Sequence, residues 1–259
     1  MAKGRPAAAA GAAHEHAPAA AAETTEEHPR AAAAPKRRRG GCNRCTQVLL
    51  AAVATTIVCG SAWVAGNYWL GTNSYLTSAE IVAGSLEARD GNGEAALRAA
   101  VGNVTASLTA LYGTAITEED WIFMRAGGWM GAWKLLYASA TEYILIFGTG
   151  MDTSGHSGRY WADISDTLLS GTFTQWEEGR MVANVHTAGT TVYHPAWSAT
   201  GVHWTAGTWM VEHATGIIPT TLPFAFADSL LSAQDLPSLG RAVAVYARHI
   251  LRNALAGRL

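Results

Sequence analysis

Between Arg44 and Glu80 the chain carries no charged side chain, and the apolar heart of that run, Val48 to Leu70, restricts its folding most. About 20 such residues in helical form cover the ~30 Å of hydrocarbon in a bilayer. Trp63, Tyr68 and Trp69 gather at the far end, where amphipathic rings favour the headgroup zone. Two other readings compete. Gly60, Gly66 and Asn67 weaken the hydropathy as in a buried core helix, and Ser61 and Ala62 supply the small residues of a cleaved signal peptide. The long preceding segment favours a retained signal anchor, a single transmembrane helix over 46–71. Lys36–Arg39 and Arg44 then hold the N-terminus in the cytosol by the positive-inside rule, and the body lies across the membrane.

Residues 1–45 are mostly Ala with Gly, Pro, Glu and His, and bury too little surface to offset the entropy of ordering them. They read as a disordered basic tail, and Pro6, Pro18, Pro29 and Pro35 oppose a long Ala helix. Eight of the 18 Lys and Arg residues fall there against four of the 20 acids, so a mildly acidic body follows. The net charge of -2 recruits no nucleic acid, and no phosphate loop or nucleic-acid module appears. Cys42 and Cys45 form a lone CxxC without the second pair of a zinc site or the βαβ setting of a thioredoxin-like motif. Reversible acylation competes with two inert thiols there, and Cys59 falls within the span.

A helical region over 72–120 follows. Thr77-Ser78-Ala79-Glu80 reads as a capping box opening a helix that ends near Asp90, and a second helix, Glu94 to Tyr112, places Leu97, Val101, Val104, Leu108 and Leu111 at helical spacing. Asn103-Val104-Thr105 is a glycosylation sequon, poorly suited to a helix. Over 121–219 the texture changes to short runs of Trp, Tyr, Thr, Val and Ile broken by Gly, the pattern of an antiparallel barrel or sandwich. VHW-TAG-TWMVE reads as a hairpin, with Thr208, Met210 and Glu212 on one face and Trp209, Val211 and His213 on the other. Residues 220–259 read as amphipathic helices: an apolar one around LPFAFADSLLSAQ, and after Asp235-Leu236-Pro237 a basic one with Val243, Tyr246, Ile250 and Leu251 on one side. The last either lies on a membrane surface or packs on the strands.

Two acids interrupt apolar strand-like segments: Asp166 in YWADISDTLLSG and Glu212 in TWMVEHATG. Carboxyls among Trp, Leu, Ile, Met and Val either satisfy structural hydrogen bonds at a strand end or share an apolar enclosure, where one holds its proton and the other meets a cation. Other signals are weaker. Gly155-His156-Ser157-Gly158 fails the nucleophile-elbow pattern because Arg159 follows, and a tight turn is expected. His156, His186, His194, His203 and His213 lack ligand spacing, so no metal and no cofactor is expected. Gly127-x-x-x-Gly131 lies outside the apolar span and reads as a turn or strand kink.

The strings WLGTNSY (69–75), AGGWMGAWKLLYASATEYILIFGTG (126–150), GHSGRYWADISDTLLSGTFTQWEEG (155–179), TWMVEHATGIIP (208–219) and LPFAFADSLLSAQD (222–235) resemble the family of the vertebrate sigma-1 receptor and the fungal C-8 sterol isomerases, nearer the receptor branch in RYWADISDT and TWMVE. That resemblance implies an α+β protein of the endoplasmic-reticulum membrane and nuclear envelope. It would have one N-terminal span, a cupin-like antiparallel β-barrel and C-terminal membrane-adjacent helices, be assembled as a homotrimer, and regulate client membrane proteins. It implies ligand-binding roles for Asp166, Glu212, Tyr143, Trp129, Leu145, Phe147, Tyr160, Ile164, Leu222 and Tyr246, with Tyr143 hydrogen-bonded to Glu212. Lys134, Tyr137 and the stretch 180–206, which includes His194 and Trp204, depart from the family pattern.

Two functions use the same equipment. A receptor-like site binds a sterol or hydrophobic amine, the ammonium against Glu212 and Asp166 supporting that carboxylate through a hydrogen bond. A sterol isomerase moves a double bond from the 8 to the 7 position, with Glu212 and Asp166 as catalytic acids and bases around a carbocation that an ammonium imitates. Whether the chain is an enzyme stays open at this point.

Overall fold

The computed structural model describes residues 42–72 and 93–258. The tail and the helix expected over Thr77–Asp90 lie outside the described residues. The chain divides into two compact units, Met1–Ala54 and Thr55–Leu259. Helix α1, Cys42–Thr72, starts in the first and ends in the second. Its segment Asn43–Gly66 is long and apolar enough to cross a membrane, and none of its most apolar stretch is buried.

Helix α2, Glu94–Tyr112, has the bounds read from the sequence. Its buried side is Ala100, Val104, Thr105 and Leu108, whereas Leu111 faces out. Ten strands follow: β1 Ile122–Ala126, β2 Trp129–Ala138, β3 Glu142–Thr149, β4 Thr153–His156, β5 Ala162–Ser170, β6 Thr172–Glu177, β7 Asn184–Thr187, β8 Thr191–His194, β9 Thr200–Trp204 and β10 Thr208–Gly216. They form two antiparallel sheets, ordered β1-β2-β3-β10-β5-β8 and β4-β9-β6-β7. Phe173, Val202 and Trp204 of the smaller sheet share one core with Leu135, Phe147, Leu168 and Met210 of the larger, so the sheets face each other. The cupin-like antiparallel expectation is met by two facing ladders that do not close into one continuous barrel.

Residues alternate sides along each strand. Tyr143, Leu145 and Phe147 of β3 join the core between the sheets, while Ile144 and Ile146 join a second core with Val104 and Leu108 of α2. Burial of each such aliphatic side chain contributes about 1.5–3 kcal/mol. The register of β2 on β3 shifts between Leu135 and Tyr137, which turns Tyr137 into the α2-side core. Lys134 likewise avoids the inner face: it pairs with Glu118 at 3.3 Å and lies over the Trp121 ring.

The hairpin expected at VHW-TAG-TWMVE does not form. β9 pairs with β4 and β6, and β10 with β3 and β5, so the turn between them hands the chain from one sheet to the other. Thr172 N–H donates to Thr205 Oγ1 and Thr208 Oγ1 at 3.1 and 3.0 Å, tying that turn to the start of β6. The two-residue turn joining β1 to β2 is Gly127-Gly128, both at positive φ, and a Cβ on Gly127 would meet His156 O at 2.4 Å. Gly155 and His156 lie in strand β4 rather than in the tight turn expected over 155–158, and Gly158 follows at φ 94°.

Helix α3, Leu222–Leu231, and helix α4, Leu236–Leu255, complete the body. Gly128 N–H donates to Asp228 Oδ2 at 2.8 Å and Ser229 Oγ to Arg125 O at 3.2 Å, which fastens α3 to the β1–β2 hairpin. Asp235 caps α4 by accepting from Ser238 N–H. The buried face of α4 is Ala242, Val245, Tyr246, His249 and Asn253, while Val243 and Leu251 face outward. Polar groups occupy part of the inner stripe. Asn253 Nδ2 donates to Ala138 O at 2.8 Å, and Glu119 accepts from Arg248 at 3.0 Å and bonds His249 Nε2 at 3.1 Å.

Candidate functional site

The central strand β10 sets Glu212 beside Leu145 of β3 on one flank and directly opposite Asp166 of β5 on the other. Opposed residues on one face of an antiparallel pair have Cβ atoms roughly 4.5–5.5 Å apart. Two carboxyls therefore meet inside the protein, between hydrophobic neighbours. Alternation explains the placement: Thr208, Met210, Glu212 and Ala214 point inward, and Ala162, Ile164, Asp166 and Leu168 do the same on β5.

These acids border a cavity of about 110 Å³ between the sheets, room for several waters. All ten residues singled out from the sequence line it: Asp166, Glu212, Tyr143, Trp129, Leu145, Phe147, Tyr160, Ile164, Leu222 and Tyr246. The cavity also takes in Trp133, Phe173, His194, Trp204, Phe224 and Phe226. Its walls are aromatic. Trp129, Phe147 and Trp204 make mutual edge contacts with centroids 5.1–5.6 Å apart, and Phe173 stacks on Trp204 at 5.3 Å. Helix α3 supplies one wall, with the Phe224 ring 5.6 Å from Tyr160, and α4 supplies Tyr246, 5.5 Å from Trp133.

Tyr143 OH donates to Glu212 Oε1. Asp166 Oδ2 is 3.0 Å from His194 Nε2, and His194 Nδ1 is 3.1 Å from Gln175 Nε2. Asp166 thus bonds to His194 rather than to Glu212, and its Oδ1 is buried without a hydrogen-bond partner. That overturns the expectation that Asp166 supports Glu212 by a direct hydrogen bond.

Burial first, and the Asp166 charge second, push the Glu212 carboxyl up to about 8, against the opposing pull of Tyr143 and His194. At neutral pH Glu212 mostly holds its proton. Burial alone would lower His194, but the Asp166 hydrogen bond and the charges of Asp166 and Glu212 raise it above the usual imidazole range. Burial and Glu212 together raise Tyr143, Tyr160 and Tyr246, so all three hydroxyls stay neutral. The arrangement offers a neutral acid, a carboxylate paired with an imidazole and an aromatic enclosure. It can receive a cation at Glu212 if that group gives up its proton, or deliver that proton to an electron-rich guest.

Nothing local in TVYHP signals that His194 reaches Asp166, nor that Trp204 joins the cavity wall. Of the five histidines in the strand region, His194 alone borders the cavity. Among the described residues no group of three or more His, Cys, Asp or Glu is placed to hold a metal ion.

The family described as ERG2 and Sigma1 receptor like protein matches residues 47–258. The chain is 47% identical over 186 residues to sigma non-opioid intracellular receptor 1 of Xenopus tropicalis, covering 71% of this chain and 83% of that protein. It is 44% identical over 190 residues to the protein of the same description from Danio rerio, covering 72% and 84%. It is 37% identical over 142 residues to C-8 sterol isomerase ERG2 of Gibberella zeae, covering 55% and 60%. Among solved structures, an RmlC-like cupin from Shewanella frigidimarina resembles 40% of this chain and 87% of that chain at 17% identity, with a TM-score of 0.30.

Proposed function

Because the chain belongs to the ERG2 and Sigma1 receptor like protein family, we propose that it is a sigma-1-receptor-like membrane protein that binds hydrophobic amines or sterols between its two sheets. One observation carries this reading: Glu212, bonded to Tyr143 and opposite Asp166, borders an aromatic-walled cavity. A protonated amine meets the Glu212 carboxylate, the ion pair relieves the cost of burying that anion, and the rings of Trp129, Phe147 and Tyr160 hold its apolar arms. A guest longer than the cavity displaces Phe224 and Phe226 on α3. The same reading takes α1 as a single span with a cytosolic N-terminus in the endoplasmic-reticulum membrane. It also takes a homotrimer as the assembly and membrane proteins as clients.

The second reading, a C-8 sterol isomerase, is favoured by the proton that Glu212 holds at neutral pH. A neutral acid is what protonation of an alkene requires, and a carboxylate such as Asp166 stabilises the resulting carbocation. Expression in a cell lacking sterol 8-isomerase, with sterols analysed by mass spectrometry, separates the two. Shifted sterols that disappear in Glu212→Gln establish the enzyme. Unchanged sterols, with amine binding that Glu212→Gln abolishes, establish the receptor-like protein. Amine binding and sterols both indifferent to Glu212→Gln would refute both readings.

A further inference from the structure

A cation approaching this site has two carboxyls to choose from, and the structure distinguishes them by a third residue, His194. His194 ends strand β8, the edge of the larger sheet, and pairs with Ile164, two positions before Asp166. Its Nε2 lies 3.0 Å from Asp166 Oδ2, and the two side chains are only 13% and 8% exposed. Its Nδ1 lies 3.1 Å from Gln175 Nε2, and Gln175 is itself buried. Phe173 packs 6.0 Å from the imidazole. Both ring nitrogens are therefore engaged, and a protonated ring donates from Nε2 to Asp166.

We infer that His194 is a specificity-determining residue: by occupying Asp166 as an ion-pair partner it leaves Glu212 as the only open anchor for a ligand's ammonium group. This rests on the amine-binding reading above. The Gln175 amide accommodates either charge state of the ring, since its NH2 donates to a bare Nδ1 and its oxygen, after a flip, accepts from a protonated one. A positive His194 balances one carboxylate charge and Glu212 holds its proton, so the empty site is electrically neutral. A fixed positive charge docking at Glu212 drives its proton to solvent, and neutrality is kept. With the His194 charge removed, nothing balances a negative charge on Asp166, and its Oδ1, which has no hydrogen-bond partner, becomes a competing anchor on the same cavity. The titratable groups around His194 are Asp166 on β5, Glu212 on β10, His186 on β7 and the hydroxyls of Tyr143, Tyr160 and Tyr246.

The test uses the full chain in detergent and the quaternary ammonium N,N-dimethyl-N-propyl-3-phenylpropylammonium, whose charge does not titrate. At pH 6.5, Glu212→Gln loses most of the affinity of the parent protein. Adding His194→Gln to that variant restores at least about tenfold, because Asp166 is freed to take the cation. A double variant that folds and binds no more tightly than Glu212→Gln overturns the inference. Should the double variant fail to fold, Glu212→Gln alone decides. Raising the pH from 6 to 9 neutralises His194, and affinity should climb by about tenfold in this protein, which has no Glu212 to titrate. A flat profile overturns the inference while leaving the role of Glu212 standing. Unaltered binding in Glu212→Gln at pH 6.5 would instead remove both.

Discussion

Replacing Glu212 by Gln should stabilise the empty protein, and by an amount that depends on pH. The folded carboxyl is held up to about 8 against an ordinary value of 4.5, so between those limits the unfolded chain ionises while the folded one keeps its proton. A group raised on folding contributes stability that is complete below its unfolded value and lost as pH climbs through its folded value. The interval corresponds to roughly 4–5 kcal/mol lost between pH 4.5 and 8. Gln keeps the shape, still accepts from Tyr143 and has no proton to lose. Urea unfolding of the two proteins at pH 5 and pH 8.5, without ligand, gives the comparison. The variant should match the parent within about 1 kcal/mol at pH 5 and exceed it by about 3–4 kcal/mol at pH 8.5. Equal stability at both pH values would refute the buried, proton-holding Glu212 on which the site is built.

Other outcomes follow from single contacts. Tyr143→Phe removes the donor to Glu212 and should weaken ammonium binding by about 1.5–3 kcal/mol, read by calorimetry. Leu108→Ala, in the core between α2 and the larger sheet, should lower stability by about 2–5 kcal/mol without changing ligand affinity. Glu119→Gln loosens α4, because it weakens the contacts to buried His249 and exposed Arg248. Faster amide exchange confined to residues 245–255 and a stability loss of about 1 kcal/mol should result. Gly127→Ala combines a positive φ with a Cβ pressed on His156 O and should lower the melting temperature by several degrees, about 1–3 kcal/mol.

Much of the secondary structure is legible in the sequence because it is written locally. The spacing from Leu97 to Leu108 defines α2, and the parity of Thr208, Met210 and Glu212 gives the inward face of β10 before its partners are known. What lies between strands is not local. Trp204 and Thr208 are four residues apart yet belong to different sheets, since ladder partners are chosen by distant segments such as β3, β5 and β6. The inner face of α4 is not legible for a related reason. His249 and Asn253 are buried because Glu119 and Ala138 O wait for them, and helical hydrophobicity cannot register such partners. The acids themselves were conspicuous as charges in greasy strands. Their direct opposition and the His194 bond required the register of β5, β8 and β10.

Binding of a quaternary ammonium as a function of pH tests the account at its centre. Affinity is reduced by the fraction of Glu212 that is ionised, about 0.01 at pH 6 and about 0.5 at pH 8 for a group at about 8. The parent protein should therefore bind about 50-fold more tightly at pH 8 than at pH 6, and release close to one proton per ligand at pH 6. Affinity that is the same at both pH values, with no proton released, would contradict a cation site built on Glu212.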